Sequence, residues 1–225
     1  WVRSGVAHNP FTPKEALITL SKDKDNWVRQ YVALNPNTPL ETLQVLSKDK
    51  DDDVKRCVIG NPNTPKEILI ELSKDNNWEV KWSVAMNPNT PKDILTTLSK
   101  VKIIEIRESV ALNPNTPLEI LIKFSKDENK YIRESVTLNP NTPLHISKKI
   151  LIELSKDKSE DVNKIALKRL EELNSPKNKI ESTESKISNN KTTLNELFKE
   201  KQIDPNSKVG LELLKVYNDT QDKLK

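Results

Sequence analysis

Asn-Pro-x-Thr-Pro recurs six times at intervals of 26 residues, with its asparagines at Asn9, Asn35, Asn61, Asn87, Asn113 and Asn139. Twelve of the fourteen prolines fall in these segments. Proline lacks an amide hydrogen and pushes the residue before it out of the α region, so the chain is cut into short pieces at a fixed spacing. A period of this size marks a solenoid, in which each unit packs only on its neighbours. Such an array offers a long surface to a partner and needs no active site.

Units begin at Trp1, Trp27, Asp53, Glu79, Glu105 and Tyr131, with a degenerate seventh at Asp161. Position 2 is aliphatic (Val2, Val28, Val54, Val80, Ile132) and position 6 is valine from Val6 to Val136. This i, i+4 pair lies on one face of a short helix of about seven residues. Position 7 is mostly alanine (Ala7, Ala33, Ala85, Ala111), as where helices approach closely. Each asparagine is suited to an Asx turn that bonds backbone of its own or an adjacent repeat, which makes the asparagines structural residues. Thr12-Pro13-Lys14-Glu15 and its equivalents then read as a capping box, with threonine at the N-cap and proline at the first helical position. A second helix follows, with apolar residues three and four apart: Ile68, Leu69, Leu72; Ile120, Leu121, Phe124.

In the sixth unit an insertion between Pro143 and Ser155 adds about one helical turn. The seventh unit has Arg169-Leu170 where Asn-Pro should stand, so its helix is expected to run to about Leu173 and to cap the array. The expected organisation is a helical array over 1–173, a polar linker over 174–190 and a helical hairpin tail over 191–225.

Hydrophobic residues make up 34% and aromatics 4%, thin for one deep core but sufficient for stacked layers. Residues 1–160 carry 24 Lys and Arg against 22 Asp and Glu, and the net charge is +4, short of a dedicated nucleic-acid module. Cys57 is the only cysteine, which excludes a disulfide framework and a multi-cysteine metal centre. No apolar run is long enough to span a membrane. The chain opens mid-pattern at Trp1, so we expect a fragment or a processed product, from an intracellular, cytoplasmic protein.

No catalytic constellation emerges. His8 and His145 stand in different units without a second ligand, and three glycines form no phosphate loop. No cofactor or metal is implied. Position 3, however, is basic throughout: Arg3, Arg29, Lys55, Lys81, Arg107 and Arg133. At about 8–10 Å per layer this ladder would span about 50 Å. Trp27 and Trp82 stand beside it, and aromatic-plus-basic surfaces either hold nucleic acid or anchor protein partners. The competing reading pairs these cations with Asp23, Asp49, Asp75 and Asp127 of the loops preceding them, or with helix carbonyls.

The unit running from Val28-Arg29 through Asn35-Pro36 and Thr38-Pro39 to Leu46 and Asp49 resembles the leucine-rich repeat variant family over about residues 1–160. The resemblance implies an all-α, right-handed solenoid of alternating α- and 3₁₀-helices, and we take the short Val-Arg helix to be the 3₁₀-like one. Some members carry a cysteine-rich segment that holds an iron–sulfur cluster; Cys57 alone does not match it. Two functions remain from this reading. One is a non-enzymatic scaffold for another protein, and the other is nucleic-acid binding through the basic ladder.

Overall fold

The computed structural model describes residues 1–140 and 144–174, so the expected linker (beyond its first residue) and the tail lie outside the described residues. The chain divides into two compact units, Trp1–Pro143 and Leu144–Lys225. The first holds α1 (Val2–His8), α2 (Lys14–Leu20), α3 (Asn26–Leu34), α4 (Leu40–Leu46), α5 (Asp52–Gly60) and α6 (Lys66–Leu72). It continues with α7 (Trp78–Met86), α8 (Lys92–Leu98), α9 (Ile104–Leu112), α10 (Leu118–Phe124) and α11 (Lys130–Leu138). The second unit contributes α12 (Leu144–Leu154) and α13 (Glu160–Asn174). No strand occurs among the described residues.

In the first unit the odd-numbered helices pack directly on one another in sequence, and each even-numbered helix packs on its odd-numbered neighbours. This is the layered stacking of an all-α solenoid. Position 2 and position 6 side chains fill the layers: Val28 and Val32, Val54 and Val58, Val80 and Val84, Ile106 and Val110, Ile132 and Val136 are all buried. Leu17, Leu43, Leu69, Leu95 and Leu121 close each layer from the even-numbered helices. Each such burial stabilises by about 1.5–3 kcal/mol. In the first repeat, Val2 and Val6 are exposed, because elsewhere a preceding repeat covers those positions.

Two sequence expectations are corrected. Helices of both ranks are α-helices, and the odd-numbered helix is the longer, nine residues in α3, α5, α7, α9 and α11. The i→i+3 bonds expected of a 3₁₀ member occur at the ends of helices of both ranks, as in Thr42 N–H to Pro39, Lys48 N–H to Val45 and Asn35 N–H to Val32. Two apolar positions four apart hold the odd helix at α pitch, whereas the even helix has seven residues between a proline and a serine turn. Secondly, threonine does not cap. Thr12 donates its hydroxyl 2.5 Å to the Val6 carbonyl, and Thr38, Thr64, Thr90 and Thr116 do the same to Val32, Val58, Val84 and Val110. The N-cap is the proline, whose carbonyl accepts the first helical bonds from an extended backbone. The hydroxyl serves a last-turn carbonyl of the preceding helix whose i+4 residue is a proline without an N–H, and which otherwise has only the turn asparagine's N–H, as at Val32 with Asn35.

The asparagines join repeat to repeat. Asn35 donates 2.8 Å to the Ala7 carbonyl and 2.8 Å to that of Asn9, while its Oδ1 accepts from Asn37 N–H at 2.9 Å. Asn61, Asn113 and Asn139 repeat the double donation, and Asn87 donates to Ile59. Asn9 sits exposed and makes only its own turn, accepting from Phe11 N–H. A second rung outside these carries Asn37, Asn63 and Asn115, which donate to the carbonyls of Pro10, Pro36 and Pro88.

In the second unit, α12 has 11 residues against seven in α10, the extra turn expected of the insertion. It buries Ile150, Leu151 and Leu154, and α13 buries Val162 and Ala166.

Candidate interaction surface

The basic ladder is built into the loops. Arg29 is 6% exposed and holds Asp49 through Nε at 2.6 Å and Nη2 at 2.9 Å. Its Nη1 reaches back to the carbonyls of Asp23 and Lys24 at 2.8 and 3.3 Å. One guanidinium thus ties the loop before α3 to a carboxylate in the loop after α4, so the partner acid comes from the end of the same repeat, not from the loop before the helix. Arg3 pairs likewise with Asp23 at 2.6 Å, and Lys55 with Asp75 and Asp52, both at 2.8 Å. Arg107 stands 3.8 Å from Asp127 and donates to the carbonyls of Val101 and Lys102. Arg133, buried, donates to those of Asp127 and Glu128. Lys81 differs, because Val101 occupies the place of the acid, and it makes no ion pair among the described residues.

The charges of these pairs are mutually sustained. Hydrogen bonds donated to Asp49 raise the Arg29 guanidinium, and those donated to Asp52 and Asp75 raise the Lys55 ammonium. Burial pushes the Asp49 carboxyl up, but Arg29 and the Asp51 amide outweigh it and hold it below the usual range. The Asp25 amide and then Arg3 lower Asp23. The same carboxylates also accept backbone N–H groups in their loops, Asp49 from Asp51 and Asp75 from Asn77.

With the ladder in the loops, the surface open to a partner lies elsewhere. Positions 1, 4 and 8 share the helix face opposite the buried positions 2 and 6. On it, position 8 forms an apolar row of Leu34, Met86, Leu112 and Leu138, each between 41% and 54% exposed. Trp27 is exposed at position 1, and Trp82 at position 4 lies under the Arg56 guanidinium at 5.9 Å. Arg56 also pairs with Asp53 at 3.1 Å and Glu79 at 3.8 Å. The row is interrupted at Gly60. Beside it opens a hollow of about 300 Å³ lined by Arg56, Ile59, Gly60, Trp82, Ser83 and Met86, among others.

Further along the same face stand Glu105, Glu108 and Glu134, whose carboxylates make no ion pair or hydrogen bond among the described residues. Burial, with Glu105 and Glu134 nearby, raises the Glu108 carboxyl. The sequence did not single out this row. Position 8 lies between a buried alanine and the turn asparagine, so it reads as the tail of an apolar run.

Of the reactive groups noted in the sequence, Cys57 and His8 are among the described residues and the His145 side chain lies outside them. Burial pushes the Cys57 thiol to about 11, leaving it un-ionised at neutral pH. His8 packs edge-on against Tyr31 at 5.2 Å. Among the described residues no group of three His, Cys, Asp or Glu side chains is placed to hold a metal. Nor is any helix among them long and apolar enough to cross a membrane.

A solved structure described as a leucine-rich repeat variant with a novel repetitive protein structural motif is similar to this chain at 26% identity, with a TM-score of 0.56. The match covers 75% of this chain and 65% of that one, so the chain spans less than two thirds of that protein's length. A crystal structure of an engineered protein aligns at 15% identity and a TM-score of 0.29, over 76% of this chain and 87% of that one. No family model and no curated protein matches the sequence. The resemblance to the leucine-rich repeat variant is therefore carried by the fold as well as by the repeat.

Proposed function

We propose that the chain is a non-enzymatic repeat scaffold that binds another protein through the exposed face of its odd-numbered helices. The observation that carries this reading is the position 8 row. Leu34, Met86, Leu112 and Leu138 stay exposed at the same place in four of the five layers from Leu34 to Leu138, although their layers bury the aliphatic residues at positions 2 and 6. A repeated apolar row left open to water is a docking feature rather than a folding one. Trp27 and Trp82 supply the large aromatic anchors typical of protein interfaces. A cytoplasmic setting goes with this reading, on the strength of the single cysteine, and cell fractionation tests it.

The test is affinity capture from native lysate by the wild-type chain and by Leu112→Asp with Leu138→Asp. A protein retained by the first and lost by the second, at unchanged circular dichroism, supports the scaffold. Equal retention by both removes this face from it. Nucleic-acid binding through the ladder finds no support in the side-chain geometry, since Arg29 and Arg133 are buried and Arg3, Lys55 and Arg107 face loop carboxylates. A labelled 30-mer at low salt is expected to show no binding that falls steeply with added salt.

A further inference from the structure

We infer that this face takes a basic amphipathic segment of a protein partner, with one bulky apolar side chain seated in the hollow beside Gly60 and Lys or Arg side chains on Glu105, Glu108 and Glu134. The inference rests on the scaffold reading and specifies its ligand.

The hollow exists because one repeat departs from its own rule. Position 8 is Leu34, Met86, Leu112 and Leu138 in other repeats but Gly60 here. No backbone constraint demands the glycine. A Cβ added at Gly60 would meet a single atom within 4 Å, the Leu34 Cδ2 at an ordinary 3.7 Å. The missing side chain leaves a space of about 300 Å³ between α5 and α7. Its walls are the Trp82 ring, held by Arg56, and the Met86 side chain. An aromatic wall and a thioether beside an open floor suit one large apolar side chain.

Charge complementarity selects the rest of the ligand. Near the hollow, Arg56 already has Asp53 and Glu79 for partners. Two layers on, Glu105, Glu108 and Glu134 have none, and burial together with mutual repulsion disfavours the Glu108 charge. Ligand cations would relieve that repulsion, while Leu112 and Leu138 beside them accept the apolar stems of lysine or arginine. With about 8–10 Å per layer, cations and anchor stand about 15–25 Å apart on the ligand.

The probe is a phage library of random peptides of about 16 residues, long enough to cover that distance as helix or strand. It is panned against the full chain, and the selected peptides are titrated against wild type, Gly60→Leu and Glu108→Lys with Glu134→Lys. Gly60→Leu restores the residue type of the other repeats and fills the hollow, and circular dichroism verifies both folds. The expected result is peptides that join a bulky apolar residue to Lys or Arg and bind either variant about tenfold or more weakly. Binding should also weaken with salt. Peptides that bind wild type but lack basic residues, or that tolerate both variants, overturn this inference and leave the scaffold reading standing. No peptide enriched over an unrelated repeat protein counts against both.

Discussion

Asn61 donates its side-chain amide 2.6 Å to the carbonyl of Ala33, 28 residues earlier in the chain. The same nitrogen reaches the Asn35 carbonyl at 2.9 Å, and Oδ1 accepts from Asn63 N–H at 2.9 Å. One 2% exposed side chain therefore satisfies backbone groups of two repeats at once. Helix ends leave carbonyls without intrahelical partners, and a buried one left unpaired costs about 1–3 kcal/mol. A solenoid depends on nearest-neighbour interfaces, so this bond belongs to the interface term of its stability.

Asn61→Ala is accordingly expected to lower stability by about 2–4 kcal/mol in urea unfolding, since it orphans the Ala33 carbonyl and the Asn63 amide and leaves the Asn35 carbonyl with Thr38 N–H alone. Asn9→Ala, at an exposed position with no carbonyl of another repeat in reach of its amide, should cost less than about 1 kcal/mol. Equal costs at the two sites would show that the turn, and not the joint between repeats, is what the asparagine serves.

Arg29 and Lys81 occupy the same position of their repeats and are expected to behave differently. Removing the buried Arg29 leaves Asp49 unpaired and two loop carbonyls without a donor, so Arg29→Met should cost about 3–5 kcal/mol. Lys81→Met, with no acid opposite, should change stability by less than about 0.5 kcal/mol. A melting temperature unmoved by Arg29→Met would return the ladder to the list of free surfaces.

These two comparisons mark what the sequence could and could not tell. Asn9 and its five equivalents were legible because proline fixes where the helix stops and asparagine is suited to the turn that follows. The fate of Thr12 was not, because a hydroxyl that could cap the next helix can equally serve a carbonyl of the last one, and only the path of the turn decides. Arg29 was legible as one of two alternatives. Asp49 stands 20 residues from it, and whether the two meet depends on how far the loop folds back. The Gly60 hollow was invisible, since an absent side chain makes a site only when Arg56, Trp82 and Met86 surround it.

The pH dependence of stability should have two opposed parts. Asp23, Asp49 and Asp52 have folded values below the ordinary carboxylate range, so their contribution is present above about pH 4 and is lost as pH falls through the lowered values. Glu108 is raised, so its charge opposes folding above its folded value, and that cost disappears as pH falls toward about 4.3. Glu108→Gln should therefore raise the melting temperature at pH 7 and leave it unchanged below pH of about 4. A variant less stable than wild type at pH 7 would mean that Glu108 has a cationic partner in solution.

The loop before α9 should be the weakest joint among the described repeats, and it should be repairable. In α3, α5, α7 and α11 an Asp or Asn caps the helix, as Asp25 accepts from Trp27 N–H, Asn77 from Glu79 N–H and Asn129 from Tyr131 N–H. Here the N-cap is Ile103, whose side chain accepts nothing, and Val101 replaces the acid that elsewhere receives both the ladder cation and a loop amide. Arg107, which follows this loop, stands 3.8 Å from Asp127 where Arg3 and Arg29 hold their aspartates at 2.6 Å, and its Nε is buried without a hydrogen bond. Ile103→Asn should add about 1 kcal/mol by capping α9, and Val101→Asp a smaller amount by giving Lys81 its partner. Because a repeat array opens first at its weakest interface, amides in the first turn of α9 should exchange faster than their equivalents in α7, and the double substitution should slow them. Uniform exchange across the odd helices of the wild type would mean that Ile103 and Val101 hold the loop by packing as well as the polar residues do elsewhere.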